Sequence, residues 1–276
     1  MLSLLSRLQR KARDVRRFPA LAAGPADRRD LWLLGLVHNR VLSPAFAARF
    51  TTTGRDIAPR LAATRGERVR VELDHSGQID CFNELFFEGI YDLAAVGFAP
   101  DLVADCGGYC GYFSTMAAGF FPAAALHCFE ANPDNLPMLR AQLAALSRPV
   151  ELHPAAVFLH DGTITFSGAG VGGAVTGADT AGARTIPSLD FPRWLHDRAP
   201  QRFVWKLDVE GAEKELLPAC LGFLPRPTVI FLETHHPDGI CAALLAPYRD
   251  AGFSLREIRR RPAGGFDYIE WVLQRA

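Results

Sequence analysis

The sequence predicts a doubly wound α/β fold, in which a mostly parallel sheet carries helices on both faces. From residue 101 onward, short apolar strands alternate with helical segments, as they do in parallel sheets. A glycine-rich turn over residues 106–111 directly follows the first of these strands, and doubly wound sheets typically have such a turn. Strands over 253–258 and 267–273 are close enough in sequence to pair antiparallel, so we expect a hairpin to close the sheet.

The segments before the parallel sheet are expected to be shorter and less regular. Residues 1–60 have the pattern of short helices, and residues 67–73 alternate charged and apolar side chains, as a half-buried strand does. Residues 81–98 have the pattern of one amphipathic helix with an aromatic cluster, which we interpret as core packing rather than as a lid. We therefore expect a helical N-terminal extension with a first strand over residues 1–75 and the main domain over residues 76–276.

Within the main domain, strands and helices are expected in a regular order. They are strand 101–105, helix 110–120, strand 124–129, helix 134–146, strand 149–153, strand 203–208, helix 211–221, strand 228–233 and helix 239–250. Asn132 and Pro133 are interpreted as the cap and the first residue of the second of these helices. Residues 168–183 are small and nearly featureless, and they fit a loop over an active site and a surface connection equally well.

The composition sets limits on the class of protein. The chain has 276 residues, of which 49% are hydrophobic and 22% charged, so we expect a sizeable core rather than disorder. Lys and Arg number 30, as do Asp and Glu, and this zero net charge argues against a nucleic-acid partner. The six cysteines form no C-x-x-C pair, so we interpret them as reduced thiols.

The chain also lacks the sequence signs of a membrane protein. Its apolar runs are too short to span a bilayer, and its first residues lack a signal-peptide cleavage pattern, so we expect a cytoplasmic protein. Residues 1–17 are basic and have apolar side chains near helical spacing. A helix there could lie on a membrane or dock on a partner, but we favour a solvated capping helix or a frayed terminus.

The glycine turn and the strand end after it indicate a nucleoside-containing cofactor. In such a turn, backbone N–H groups can approach a ligand closely at the positive end of a helix. The next strand ends in Glu130, where an acid is placed for ribose hydroxyls. The dinucleotide fingerprint G-x-G-x-x-G does not match, because Gly107 and Gly108 are adjacent and are followed by Gly111. Asp105 would repel a pyrophosphate but suits a cationic ligand, which favours S-adenosylmethionine over NAD.

A second group of polar residues follows the later strands. Asp208, Glu210 and Glu213 come directly after strand 203–208, and we assign Asp208 a functional role and Glu213 that of an acid at a helix start. His235 follows the next strand, and a role as proton acceptor and a loop-forming role are equally supported. A divalent ion held with Asp208 or Glu233 is an alternative, but no standard ligand spacing supports it, so we predict no metal.

Five motifs in the same order resemble the FkbM family of S-adenosylmethionine-dependent methyltransferases. They are residues 103–114, 128–135, 185–190, 206–213 and 232–235. The resemblance implies a class I methyltransferase sheet and the O-methylation of a sugar or another small molecule. It also implies that Asp105, Gly107 and Gly111 surround the methionine part of the donor, that Glu130 binds the ribose and that Asn132 lies near the adenosine. Gly108, Tyr109 and Ala131 depart from the family pattern.

The sequence thus predicts a cytoplasmic O-methyltransferase with a small-molecule or carbohydrate acceptor. The catalytic candidates are Asp208, His235 and Glu210, and the cofactor candidates are Asp105, Gly107, Gly108, Gly111, Glu130 and Asn132. An N-methyltransferase of a small amine or protein side chain is the alternative within enzymes. A non-catalytic module that binds S-adenosylmethionine is the alternative outside them, and an NAD-dependent oxidoreductase is disfavoured by the glycine spacing.

Overall fold

The computed structural model describes residues 15–51, 56–167, 174–175, 183–263 and 266–276. The strands are β1 (Asp56–Ile57), β2 (Val71–Glu72), β3 (Leu102–Cys106), β4 (Ala125–Phe129), β5 (Glu151–His153), β6 (Ala156–Phe158), β7 (Gly162–Ser167), β8 (Ala174–Val175), β9 (Arg184–Asp190), β10 (Phe203–Leu207), β11 (Thr228–Thr234), β12 (Ser254–Ala263) and β13 (Phe266–Arg275). The α-helices are α1 (Arg28–His38), α2 (Pro44–Ala47), α3 (Ser76–Phe82), α4 (Tyr112–Phe120), α5 (Leu136–Leu143), α6 (Phe191–Arg198), α7 (Glu213–Cys220) and α8 (Asp238–Asp250).

A seven-stranded sheet forms the centre of the molecule, in the spatial order β12-β13-β11-β10-β3-β4-β5. Five neighbouring strands, from β11 to β5, are parallel, whereas β13 runs antiparallel to both β11 and β12. β4 and β5 follow one another on one side of β3, whereas β10 and β11 lie on its other side. The boundary between β3 and β10 is therefore the topological switch point of a doubly wound sheet. This strand order with its one reversed strand is that of class I methyltransferases, so the predicted fold class is confirmed.

Apolar side chains alternate between the two faces of the central strands, and helices therefore cover both faces. On one face, Val103, Val204 and Phe231 share a core with residues of α4. On the other face, Ala104 and Trp205 share a core with residues of α6, α7 and α8. This sandwich fixes the carboxyl ends of β3, β4, β10 and β11 at one edge of the sheet, where the loops that follow them meet.

The N-terminal helices pack on the first of these cores. Phe18 and Leu34 are fully buried there together with Phe82 and Tyr112 from the main domain. The ring centroids of Phe18 and Phe82 lie 6.3 Å apart in a stacked arrangement. Residues on both sides of the expected boundary after residue 75 thus contribute to one hydrophobic core.

The single amphipathic helix expected over residues 81–98 does not form. Helix α3 ends at Phe82, a π-helix continues over Asn83–Glu88, and a separate 3-10 turn follows over Leu93–Val96. Gly89 ends the π-helix in the left-handed region, with φ +69°, and Asp92 starts the next turn by accepting the N–H of Ala94 at 3.1 Å. A glycine and a capping residue therefore break the pattern that the apolar spacing suggested.

Several other elements are shorter than the sequence predicts, two of them markedly. Of the strand expected over residues 67–73, only β2 forms, and it pairs with the two residues of β1. The helix expected over residues 134–146 is α5, which begins after a turn. Asn132 does not cap this helix, because its side-chain oxygen accepts the N–H of Asp134 within that turn.

A second, four-stranded sheet, with the order β6-β9-β7-β8, was not predicted. Its strands fall between β5 and α6, where the sequence analysis recognised a motif at residues 185–190 but no sheet. The featureless segment 168–183 lies outside the described residues except for β8 and residue 183. The basic helix expected over residues 1–17 also lies outside them, apart from residues 15–17, which are helical. In the described part of the chain, no helix has both the length and the apolar composition needed to cross a membrane.

Candidate cofactor and active site

A cavity of about 590 Å³ opens at the carboxyl ends of β3, β4, β10 and β11. Its wall includes most of the residues that the sequence singled out: Asp105, Gly107, Gly108, Glu130, Asn132, Asp208 and Glu210. Two others do not line it: Gly111 packs behind the turn, and His235 lies behind the carboxylates of the wall. The π-helix and β6 supply further walls, and ligands of open α/β sheets bind at this edge.

Close packing explains two of the three glycines of the turn. Gly107 has φ +88°, and a Cβ there would lie 1.8 Å from the carbonyl oxygen of Asp208. A Cβ on Gly108 would lie 2.3 Å from Sγ of Cys128. The neighbouring backbone therefore leaves no room for a side chain at Gly107, and a side chain at Gly108 would require the buried Cys128 to move. Gly111 has φ +80° and directly precedes α4.

Asp105, the penultimate residue of β3, is a buried carboxylate held by the start of α4. Its Oδ2 accepts the hydroxyl of Ser114 at 2.6 Å and the N–H of the same residue at 3.1 Å. Among the described residues, none donates a hydrogen bond to its Oδ1, and Nζ of Lys206 lies 3.8 Å away. Burial raises the pKa of Asp105, while Lys206 and Ser114 oppose that shift.

Lys206 belongs to the FkbM-like motif at residues 206–213, but the sequence analysis gave it no role of its own. It is buried in β10, where Nζ lies 3.2 Å from Oδ2 of Asp208 and donates to the carbonyl oxygen of Gly107. Burial favours the neutral amine, but Asp208 and Asp105 outweigh it and raise the pKa of Lys206. A lysine in the middle of an otherwise apolar strand was the available signal, because such a charge is buried only when it is paired.

Glu130 connects the end of β4 to the glycine turn. Its Oε2 accepts the N–H of Tyr109 at 2.7 Å, and its Oε1 accepts the N–H of Asn132 at 2.8 Å and the side-chain amide of Asn135 at 3.0 Å. Burial raises the pKa of Glu130 despite these three donors. The carboxylate is therefore fixed in direction beside the cavity, and Oε2 retains a lone pair for a further donor.

Asn132 is held in place by a cation from the small sheet. Its Oδ1 accepts a hydrogen bond from Nη2 of Arg184 at 3.1 Å, and that guanidinium also pairs with Asp134 at 2.9 Å. Since Arg184 begins β9, the four-stranded sheet anchors the loop that carries Asn132 to the cavity wall.

His235 lies among four carboxylates at the end of β11. Its Nδ1 is 3.2 Å from Glu213, and its Nε2 is 3.4 Å from Glu210, 3.7 Å from Glu233 and 3.8 Å from Asp208. Burial favours a neutral imidazole, but the hydrogen bond and charge of Glu213, helped by Asp208 and Glu210, raise the pKa of His235 to about 10. The imidazole is therefore a cation at neutral pH.

Glu213 stabilises this imidazolium by accepting its Nδ1–H. It is fully buried at the start of α7, where its Oε1 accepts the N–H groups of Val209 and Gly211 at 3.1 and 3.2 Å. Although burial opposes ionisation, the hydrogen bond from His235 and the imidazole of His236, 3.5 Å away, lower the pKa of Glu213 to about 2. The residue interpreted as an ordinary helix-start acid thus also holds His235.

The two acids nearer the cavity are shifted in the opposite direction. Burial, with repulsion from Asp208, raises the pKa of Glu210 to about 7 and that of Glu233 to about 8. Glu233 already forms an ion pair with Arg261, at 3.1 Å. Arg261 also lines the cavity, and the sequence analysis did not identify it. Glu210 lines the cavity in the left-handed backbone region, with φ +55°. One acid of this group can therefore both hold and release a proton near neutral pH.

Part of this acid cluster has the residue types of a site for a divalent ion. Possible ligand atoms of Asp208, Glu233 and His235 lie within 4.8 Å of one another. However, Lys206 and Arg261 already neutralise the two carboxylates, and His235 would have to release its proton before it could bind a metal. The arrangement fits a network of ion pairs better than a metal centre.

No family profile and no curated protein sequence matches this chain. Among solved structures, it is similar to a precorrin-6y C5,15-methyltransferase from Geobacter metallireducens, with 16% identity over 67% of this chain and 85% of that chain and a TM-score of 0.41. It is similar to a methyltransferase FkbM from Methylobacillus flagellatus, with 13% identity over 97% of this chain and 60% of that one and a TM-score of 0.43. It is also similar to M. jannaschii TYW2 in complex with AdoMet, with 13% identity over 80% of this chain and 87% of that chain and a TM-score of 0.43. At these identities and scores, no family assignment follows.

Proposed function

We propose that this protein is an S-adenosylmethionine-dependent methyltransferase of the FkbM type that methylates a hydroxyl group of a small molecule or sugar. The observation that carries the proposal is the meeting of the glycine turn and Glu130 at one cavity, joined by the hydrogen bond from the Tyr109 N–H. In doubly wound sheets, this pair of features holds a nucleoside. The five FkbM-like motifs support the methyl donor in particular.

The charge of the cavity also favours this donor. Among the described residues, eight carboxylates and two cations line the wall, which suits an ammonium and a sulfonium but repels the phosphates of a dinucleotide. Within the part of the chain that the structure describes, Oδ1 of Asp105 is a buried acceptor without a hydrogen-bond donor, and an ammonium group of the ligand would satisfy it. Glu130 and Asn132 would hold the nucleoside, and the bound donor would supply the methyl group.

Glu210 is the residue that we assign as the proton acceptor. His235 is already protonated at neutral pH, so it cannot take the proton of an acceptor hydroxyl. Glu210 lines the cavity, and its pKa of about 7 matches the needs of a general base. His235 then acts as a positioning cation, because its Nε2 lies 3.4 Å from Glu210. Asp208, paired with Lys206, forms part of the cavity wall, and much of the rate comes from aligning the substrates.

Calorimetric titration with S-adenosylmethionine tests the cofactor. We expect saturable binding to the wild type and loss of at least about tenfold in affinity for Glu130→Ala, since a buried acceptor of the ribose hydroxyls is removed. Asp197→Asn, an exposed acid remote from the cavity, is the matched control and should bind like the wild type. Absence of binding to well-folded wild type would overturn the proposal, as would equal binding by Glu130→Ala.

A further inference from the structure

A second group of ligand-type side chains lies on the β4–β5 side of the sheet. His127 on β4 is paired in parallel register with Glu151 on β5, and His153 follows Glu151 by two residues on the same face. β5 is the outermost strand on this side of the sheet. None of these three side chains lines the cavity, so the proposed methyl transfer leaves them without a role.

The three side chains converge on one point. Nδ1 of His127 lies 3.0 Å from Nε2 of His153. The Glu151 carboxylate places Oε2 at 3.4 Å from that Nδ1 and Oε1 at 3.3 Å from that Nε2. One ligand atom from each residue can be chosen so that all three lie within 4.8 Å of one another.

The two nitrogen–oxygen distances are longer than usual hydrogen bonds and are close to the spacing of ligand atoms around a shared cation. N–H···O bonds cluster at about 2.9–3.0 Å, and both nitrogen–oxygen distances in this group are longer. Around a tetrahedral ion with ligand distances of 2.0–2.1 Å, neighbouring ligand atoms lie about 3.3–3.4 Å apart. The two nitrogen–oxygen distances match this spacing, although each involves a different oxygen of Glu151, and the nitrogen–nitrogen distance of 3.0 Å is also that of a hydrogen bond between the two imidazoles.

The surroundings hold both imidazoles in place. The ring of His153 stacks on Phe129, with centroids 4.4 Å apart, and the ring of His127 meets the edge of Trp194 at 5.0 Å. Both histidines lie on paired strands rather than on loops, which gives a site the rigidity that metal binding needs. Glu151 has 58% of its side chain exposed, so an ion could enter from solvent and keep a water ligand on that side. The nearby cation, Arg198, is exposed and lies over Trp194.

We propose that His127, Glu151 and His153 form a binding site for a divalent transition-metal ion, with Zn²⁺ as the best-suited ion. Two imidazoles and one carboxylate are ligands that zinc and its neighbours in the first transition row prefer, whereas Ca²⁺ and Mg²⁺ prefer oxygen alone. A bound ion would join β4 to the edge strand β5. The ion is expected to stabilise the folded chain, because the three ligands are brought together only by folding.

The test uses the full, untagged chain after removal of metal by a chelator. Titration with Zn²⁺ in a calorimeter should give one ion per chain, and the melting temperature should rise with Zn²⁺ concentration. Titration with Co²⁺ should produce the visible absorption of a four-coordinate site. Absence of saturable Zn²⁺ binding to the folded wild type would overturn the proposal.

Variants distinguish this site from others in the chain. Glu151→Gln keeps the shape of an exposed side chain, so it should fold, and we expect it to bind Zn²⁺ at least about tenfold more weakly; His153→Gln should do the same. His160→Gln, an exposed histidine, and Asp208→Asn, from the acid cluster of the cavity, are the controls and should bind like the wild type. Unchanged binding by Glu151→Gln, or loss of binding only in Asp208→Asn, would show that these residues do not form the site.

Discussion

The charge on a single side chain in this protein depends on what is packed against it. His235 is a cation at neutral pH because carboxylates approach both of its ring nitrogens, and Glu213 is an anion at neutral pH because two histidines and two backbone N–H groups surround it. Glu210 faces the cavity with fewer partners, so its pKa remains near neutrality. Three residues that are close in space are thereby given three different protonation states.

This difference predicts the pH profile of methyl transfer once an acceptor has been found. The rate of the wild type should rise with pH through about 7, as Glu210 loses its proton. Glu210→Gln should lose about 10²–10⁴-fold in kcat and the rise near pH 7, while it still binds S-adenosylmethionine. Steady-state rates between pH 5 and 9 measure both effects. A variant that kept the profile of the wild type would show that another group takes the proton.

The sequence predicted the positions of some site residues but not the protonation states that depend on neighbours in space. Asp105, Gly107, Gly108 and Glu130 were placed at the cavity because strand ends of a parallel sheet share one edge. The protonation of His235 was not readable, because it depends on Glu213, which lies far away in sequence but next to it in space. The same holds for the proposed metal ligands: His127 and His153 look isolated along the chain and meet only across two parallel strands.

At the scale of elements, ion pairs connect the π-helix Asn83–Glu88 to the β12–β13 hairpin. Arg259 contacts Glu88 and lies 3.4 Å from Glu84, and Arg261 lies 2.6 Å from Glu84. On the hairpin itself, Arg259 also donates to the buried Glu270 at 2.6 Å. These ion pairs hold two cavity walls at a fixed separation, although the two elements are distant in sequence.

Removal of the Arg259 ion pairs should lower the free energy of unfolding measurably. Of the contacts that the described residues make with the buried Glu270 carboxylate, Arg259→Gln leaves the weaker one from Arg261, at 3.2 Å, so we expect a loss of about 1–3 kcal/mol in the free energy of unfolding. Arg260→Gln is the matched control on the same strand, and its partly exposed pair with Glu257 should contribute about 1 kcal/mol or less. Urea unfolding curves measure both. Equal losses in the two variants would contradict this role of Arg259.

Elements with a clear apolar pattern were predicted well, and those shaped by backbone detail were not. The strands β3, β4, β10 and β11 lie close to their expected positions because their residues are buried on both faces. The helix expected over 81–98 was wrong because one glycine and one capping acid divide it. The four-stranded sheet was missed because its strands are short and interrupted by a segment without apolar periodicity.

For the whole molecule, the acid cluster predicts how stability depends on pH. The lowered pKa of Glu213, about 2, gives stability that is present above its unfolded value of 4.5 and is lost as pH falls toward 2. The raised pKa of His235, about 10, gives stability that is present below 6.5 and is lost as pH rises toward 10. Glu233, raised to about 8, binds its proton more tightly in the folded state, so it too disfavours folding as pH rises from 4.5 to 8.

We therefore expect the melting temperature to fall on both sides of a mildly acidic range, and to fall between pH 6.5 and 10 in particular. Glu233→Gln keeps the shape of the side chain but cannot titrate, so its melting temperature should fall less between pH 6.5 and 8 than that of the wild type. Calorimetric melting across this range measures the difference. A melting temperature that stayed level or rose from pH 6.5 to 10 would contradict this account of the cluster.

The position of β13 has a consequence for how the chain is made. β11 is buried along its whole length, and β13 covers one of its edges although β13 follows it by an α-helix and another strand. During synthesis, the unpaired backbone N–H and C=O groups along this edge of β11 therefore stay uncovered until β13 has emerged. An uncovered strand edge is a template for pairing with another chain. We therefore expect a chain truncated between β11 and β13 to aggregate more readily than the full chain.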